Sequence, residues 1–169
     1  AEPPPPPPPP VSVVPPPTAS SSAAAFHKIW LGSNITSNQI TRDDLIKAAS
    51  KQPNITSILY IDHVPEQNEI YFAEEYNYTL INIQNLDPNF FRINVSSKNG
   101  EEDCFDFKPY ILPENEELLP NYGRRADLLR LLVLYKYGGL YTDIDTTLDR
   151  DSIDLLKKGY LKDNQTKHK

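Results

Sequence analysis

The chain has 169 residues and a formal net charge of −6, with 17 prolines, no methionine and a single cysteine, Cys104. That length suits one domain, and one cysteine excludes an internal disulfide or a cysteine metal cluster. The acidic balance disfavours nucleic acid and anionic membrane surfaces, and no apolar run approaches the roughly 18 residues of a membrane span, so no transmembrane segment is expected.

Residues 1–25, AEPPPPPPPPVSVVPPPTASSSAAA, hold most of the prolines. Proline fixes φ and donates no backbone hydrogen bond, so this tract is expected to be a disordered linker: extended polyproline II followed by a flexible Ser/Ala hinge. A ligand for a proline-binding domain is the sharper alternative, but no Lys or Arg flanks the run. Such a leader, with no initiating Met and no signal peptide, reads as a spacer within a larger protein.

From residue 26 the pattern alternates between strand and helix. FHKIWLG predicts a first strand ended by Gly32. SNQITRDDLIKAASKQP predicts a helix capped by Ser37, with Ile40, Leu45, Ile46 and Ala49 inward and Pro53 closing it. NITSILYID reads as a buried strand with Asp62 at its C-terminal end, and YNYTLINIQNL as another, through Leu80, Ile81 and Ile83. Strand, helix, strand at this spacing predicts an α/β domain with a parallel sheet over residues 26–169. Residues 85–120, with Asp-Pro, Asn-Gly and acids at Glu114, Glu116 and Glu117, read as a loop-rich insertion with short helices. RRADLLRLLVLYKY, residues 124–137, is apolar almost all round and predicts a buried helix, with Gly138 as its left-handed cap. GLYTDID then predicts a strand, and DRDSIDLLKKG a short surface helix. Asn-x-Ser/Thr triplets begin at Asn34, Asn54, Asn77, Asn94 and Asn164, and matter only if the chain enters a secretory lumen.

The chemistry concentrates late in the chain. On a strand, Asp143 and Asp145 would share one face, roughly 6 to 7 Å apart, while Ile144 anchors the other. Two carboxylates so placed suit a hard divalent cation that also binds phosphate. Such a metal would neutralise both acids and stabilise charge on a departing diphosphate. The bland reading is a solvated strand end. On the preceding helix, Asp127 and Arg130 are neighbours three residues apart. They either satisfy each other or face a polar ligand, the carboxylate accepting from hydroxyls and the guanidinium donating to oxygen.

ADLLRLLVLYKYGGLYTDIDTTL resembles the Asp-x-Asp sugar-donor region of GT-A glycosyltransferases, and FHKIWLG resembles their His-x-Ile-Trp-x-Gly first strand. The nearest likeness is to the catalytic domain of clostridial glucosylating toxins and related bacterial effectors; lumenal mannosyl- and galactosyltransferases share the region. The resemblance implies a Rossmann-like, UDP-sugar-dependent transferase using Mn²⁺ or Mg²⁺ and retaining anomeric configuration. It places Trp30 against the uracil, Tyr141 near the nucleotide and ribose, and Asp143 on ribose, sugar and metal. Asp145 would ligate the metal, and Asp127 and Arg130 would be the catalytic pair holding the donor sugar. His27 sits in the signature but reads as structural. The family's catalytic domain continues past this strand, so the chain is expected to be its donor-binding N-terminal part, able to bind donor and inactive alone.

The implied acceptor is a host protein such as a Rho-type GTPase, and the implied setting is secretion or delivery into a host cytosol as part of a larger protein. A secretory-pathway transferase acting on glycans or glycolipids is the rival within the class. A truncated, non-catalytic binding module is the rival outside it. Metal-dependent phosphoryl transfer is disfavoured, because no phosphate-cradling glycine loop followed by Lys-Ser/Thr is present.

Overall fold

The structure, a computed structural model, describes residues 3–5, 25–52 and 55–157. The expected linker, residues 1–25, lies outside the described residues apart from 3–5 and 25, as do Asn54 and Asn164.

Four strands form a parallel sheet in the order β3-β2-β1-β6: β1 is Phe26–Ile29, β2 Ser57–Ile61, β3 Tyr78–Asn82 and β6 Leu140–Tyr141. Every residue of β1 and β2 is buried, as expected of parallel strands covered on both faces. On one face Ile29, Ile58, Tyr60 and Ile81 pack with Leu129, Leu132 and Val133 of α4, Tyr122–Tyr137, and with Phe90, Phe91 and Ile111. On the other, Leu59, Ile61 and Tyr78 pack with Leu45 of α1, Gln39–Lys51, and with Phe72 and Ala73 of α2, Gln67–Tyr76. The expected parallel α/β architecture is present.

Several local expectations change. The cap of α1 is Asn38, whose Oδ1 accepts from the N–H groups of Ile40 and Thr41, whereas Ser37 bonds back to the Asn34 carbonyl. Ile40, five residues before Leu45 and so about 140° around the helix from it, faces outward at 74% exposure, while Thr41, Leu45 and Ala48 share the inward face. Helix α2 was not anticipated. Its Glu66–Glu69 capping box and its Phe72 and Ala73 contacts outweigh a first turn rich in polar residues. The 85–120 insertion holds an antiparallel hairpin, β4 Arg92–Ser96 with β5 Glu102–Asp106, before the short helix α3, Lys108–Ile111.

Helix α4 is not buried all round, since Leu131 and Tyr135 face solvent. It ends at Gly138, whose φ of 66° and ψ of −156° lie outside the left-handed helical region expected for the cap; its N–H still bonds the Leu134 carbonyl. Gly139 follows where the chain returns against β1, and a Cβ there would sit 2.2 Å from the Ala25 carbonyl oxygen. Only glycine permits that approach, and with it the Leu140 N–H bond to Ala25. Helix α5, Arg150–Lys157, follows with Ile153 buried.

Candidate active site

The sheet order places the site. From β1 the chain builds to one side through β2 and β3, then returns to pair β6 on the other side of β1. The reversal falls between β1 and β6, and ligands of open α/β sheets gather at the carboxyl ends of strands beside such a point. A cleft of about 500 Å³ opens there. Trp30 and Gly32 from the end of β1, Thr41 and Asp44 from the first turns of α1, Tyr122 and Gly123 from the start of α4, and Tyr141, Asp143 and Asp145 from the end of β6 line it.

The strand predicted through Asp145 ends at Tyr141. The last ladder bond runs from the Thr142 N–H to the His27 carbonyl, and residues 144–145 form a turn closed by the Thr146 N–H on the Asp143 carbonyl. Asp143 and Asp145 are therefore held by a turn, and strand alternation does not set their facing. Both are exposed in the cleft, while Ile144 packs on the α1–α2 side of the core, the anchoring role expected of it.

Beneath this turn lies a group that the motif reading passed over. Lys28, in the central strand, is buried, and its Nζ donates to Thr142 Oγ1 (2.9 Å), the Asp143 carbonyl (2.8 Å) and the Thr146 carbonyl (3.0 Å). Burial lowers its pKa to about 8, against the opposing charges of Asp143, Asp145 and Asp44. Asp44 is a third cleft carboxylate that the sequence reading also missed. Its only signal was its place one turn after Thr41 on an otherwise inward face.

Trp30 lines the cleft, half-buried, with Nε1 donating to the Ser33 carbonyl. Tyr141 reaches it from the α4 side. Burial first, then the Asp143 charge, push its phenol up to about 12, with the Arg130 guanidinium opposing. Arg130 lies 5.3 Å over the Tyr141 ring and pairs with Asp127 at 3.2 Å, the intrahelical pairing weighed from the sequence. Neither Asp127 nor Arg130 lines the cleft itself. They flank it, joined to it through Tyr141.

His27 is structural, as read. It is fully buried, Nε2 donates to the Gly138 carbonyl, and Nδ1 then accepts from the Tyr60 hydroxyl. Burial holds its pKa below the ordinary value despite the Gly138 bond.

A second set of buried charges braces the cleft wall. Arg125 donates to the Ile111 and Leu119 carbonyls and to Asp62 Oδ2 at 3.0 Å, and Asp62 Oδ1 accepts the Gly32 N–H. Gly32 adopts φ +103°, and a Cβ there would meet the Tyr122 ring at 2.4 Å. Next to Asp62, His63 donates toward Glu69, a fully buried carboxylate that also accepts the Ile35 and Glu66 N–H groups.

Asp44, Asp143 and Asp145 against one ammonium make the cleft acidic. The donors are hard oxygens, the chemistry Mg²⁺ and Mn²⁺ favour. Among the described residues no group of three or more His, Cys, Asp or Glu side chains could hold a metal alone. Asp143 and Asp145 would hold such a cation only as one that takes the rest of its shell from phosphate and water, the usual habit of Mg²⁺.

A parallel α/β sheet with an acidic, aromatic-walled cleft at its reversal point is a Rossmann-like arrangement of the GT-A type. Residues 42–162 match the family of glycosyltransferase sugar-binding regions containing the DXD motif, and the chain belongs to that family. Two Asp-x-Asp triplets fall within the matched residues, Asp143-Ile144-Asp145 and Asp149-Arg150-Asp151, and the first of them lines the cleft. The chain is 32% identical over 123 residues to a protein named "Toxin" from Photorhabdus asymbiotica, and 29% identical over 119 residues to "Subversion of eukaryotic traffic protein A" from Legionella pneumophila. Each match covers 70% of this chain but only 4% and 16% of those relatives' lengths.

Of the Asn-x-Ser/Thr triplets, the Asn34 amide nitrogen is held by Glu66 and Asn68, and that of Asn77 by the Ile55 carbonyl. Asn94 is exposed on β4. No helix among the described residues is long and apolar enough to cross a membrane.

Proposed function

We propose that this chain is the donor-binding part of a metal-dependent glycosyltransferase that moves a sugar from a UDP-sugar to a protein acceptor. The observation that carries the reading is the placement of Asp143 and Asp145 on an exposed turn at the sheet's reversal point, lining one cleft with Trp30 and Tyr141. Within it, Asp145 and Asp143 hold Mn²⁺ or Mg²⁺, which when bound supplies Lewis-acid stabilisation of the departing diphosphate. Trp30 offers its ring to the uracil, and Tyr141 packs toward the ribose. Asp127 accepts hydroxyl protons of the donor sugar, while Arg130 donates to its oxygens. For that contact the pair must turn from its present bond toward the cleft that Tyr141 connects it to.

Residues 26–169 are read as this donor unit and 1–25 as a linker to other modules. The printed names of the two relatives favour a parent protein delivered into a host cell; a host protein acceptor, such as a small GTPase of the Rho type, is part of the proposal by analogy with the toxin resemblance alone. Retention of anomeric configuration stays part of the proposal on family likeness alone.

Calorimetric titration of UDP, UDP-glucose and UDP-N-acetylglucosamine, with Mn²⁺ and with chelator, tests the reading. Mn²⁺-dependent binding is expected, weakened by about 10–100-fold or more in Asp145→Asn. Equal binding with chelator, or an unaffected Asp145→Asn, would sink the metal role. No binding by the folded chain would favour a non-catalytic module or a site completed by further chain, which the same titration on a longer polypeptide separates.

A further inference from the structure

The donor reading assigns a task to every charged group that lines the cleft except Asp44, and none to the cation beneath it. Lys28 occupies the middle of a strand whose four residues are all buried, where an aliphatic side chain would pack without loss. An ammonium there gives up its hydration, and that cost is offset only by full hydrogen bonding and nearby opposite charge. Both conditions hold: three N–H protons meet three acceptors within 3.0 Å, and no donor remains for a ligand phosphate.

The three acceptors are informative in their order along the chain. Thr142 and Asp143 lie at the entry of the Asp-x-Asp turn and Thr146 at its exit. Beyond the Thr142 N–H bond to His27 no strand ladder holds this segment, because β6 ends at Tyr141. Among the described residues the segment is then held by one turn bond, from the Thr146 N–H to the Asp143 carbonyl, by the apolar seat of Ile144, and by the ammonium. One side chain therefore ties both ends of the turn to the central strand and leaves the carboxylates of Asp143 and Asp145 exposed in the cleft.

We propose that Lys28 is a positioning residue for the donor site: it fastens the turn of residues 142–146 to β1 and holds the Asp143 and Asp145 carboxylates in the arrangement that receives the metal diphosphate. Its charge also lessens the repulsion among Asp44, Asp143 and Asp145 before any cation arrives. The inference rests on the donor-site reading, and adds that the turn is preorganised from below by a residue that never touches the donor.

The test uses the whole chain and Lys28→Met, which keeps much of the side-chain volume and removes all three donors. Without metal or nucleotide, amide exchange at Thr142 and Thr146, whose N–H groups bond the His27 and Asp143 carbonyls, is expected to quicken at least about tenfold, with the β2 amides of residues 58–61 unchanged. Mn²⁺ affinity in the presence of UDP, read by electron paramagnetic resonance, is expected to fall about 10–100-fold, the range for a residue that orients metal ligands. Thr142→Val, which removes one acceptor, should give a smaller change in both readouts. Exchange and affinity within twofold of wild type in folded Lys28→Met would overturn the proposal. So would exchange that quickens uniformly over the chain, which would make Lys28 a general stabiliser. If Lys28→Met does not fold, Thr142→Val decides: unchanged exchange and affinity in that variant overturn the proposal, and local changes in both support it. A wild-type chain that binds no Mn²⁺–UDP would sink the donor reading instead, and the exchange data then decide alone whether Lys28 fastens the turn.

Discussion

The carboxyl end of the parallel sheet and the β4–β5 hairpin both carry many charges, and they hold them in opposite ways. On β5 all five residues are exposed, Glu102, Asp103 and Asp106 among them. Around the cleft, Lys28, Arg125 and Glu69 are almost wholly buried, and each is met by named partners. A solvated charge interacts weakly with its neighbours and can be changed cheaply. A buried, bonded charge is expensive to orphan. The comparison teaches that the buried charges near the site act as framework, while those on the hairpin are free to vary without disturbing the fold.

The sharpest way to break this comparison is Asp62→Ala, which leaves the Arg125 guanidinium buried without its carboxylate. A loss of about 3–5 kcal/mol is expected in urea unfolding; a loss below about 1 kcal/mol would place Asp62 with the hairpin acids. Next comes Gly32→Ala, where the positive φ costs on the order of 1–3 kcal/mol and the new methyl displaces the Tyr122 ring from the cleft edge. Tyr122→Ala should relieve the steric part in the double variant and leave the backbone part, so incomplete rescue is the expected outcome.

The pH dependence of stability sharpens the picture further. Burial disfavours the charged form of His63, but the Glu69 bond and charge, then Asp62, outweigh it and raise its pKa. A raised folded pKa means that the contribution is fully present below the unfolded value near 6.5 and is lost as pH rises through the folded value. At the acid end, burial would raise the Asp62 pKa, but the Gly32 N–H, Arg125 and His63 together lower it. Its contribution is therefore present above the ordinary carboxylate value and is lost as pH falls through the folded one. Unfolding free energy should decline on both sides of a plateau. His63→Gln should remove the decline on the alkaline side, worth on the order of 1 kcal/mol for a partly exposed pair. An unchanged alkaline limb in that variant would show His63 to be uncoupled from folding. The smallest effect is expected for Asp103→Asn on the hairpin, within about 0.5 kcal/mol in the same assay.

The legible parts of this molecule are those whose signal is local. β2 and β3 announced themselves by β-branched and aromatic runs, and α4 by its apolar density and the double glycine after it. Asp143-Ile144-Asp145 stood out because two acids flank an apolar residue. Helix α2 was missed because QNEIYFAEEY reads as mixed polar and aromatic until the sheet supplies a surface for Phe72 and Ala73. The hairpin was missed although Asn99-Gly100 marks its turn, because its strands are acidic and solvated, with little apolar alternation to detect.

The amino-acid order by itself determined the class of the domain, the pairing of two acids about Ile144 and the place of Trp30 at the end of the first strand. All three follow from residue type and short-range spacing. The tertiary structure alone decided that the acids sit on a turn and not on a strand, because β6 stops pairing after Tyr141 and only there can Lys28 reach across to residues 142–146. It also decided that Asp44 joins the cleft and that Arg125, one more charge in a basic stretch of sequence, becomes a buried brace for Asp62. Those facts depend on which strand lies beside which, and contacts between residues 63 to 118 positions apart leave no periodic trace in the chain.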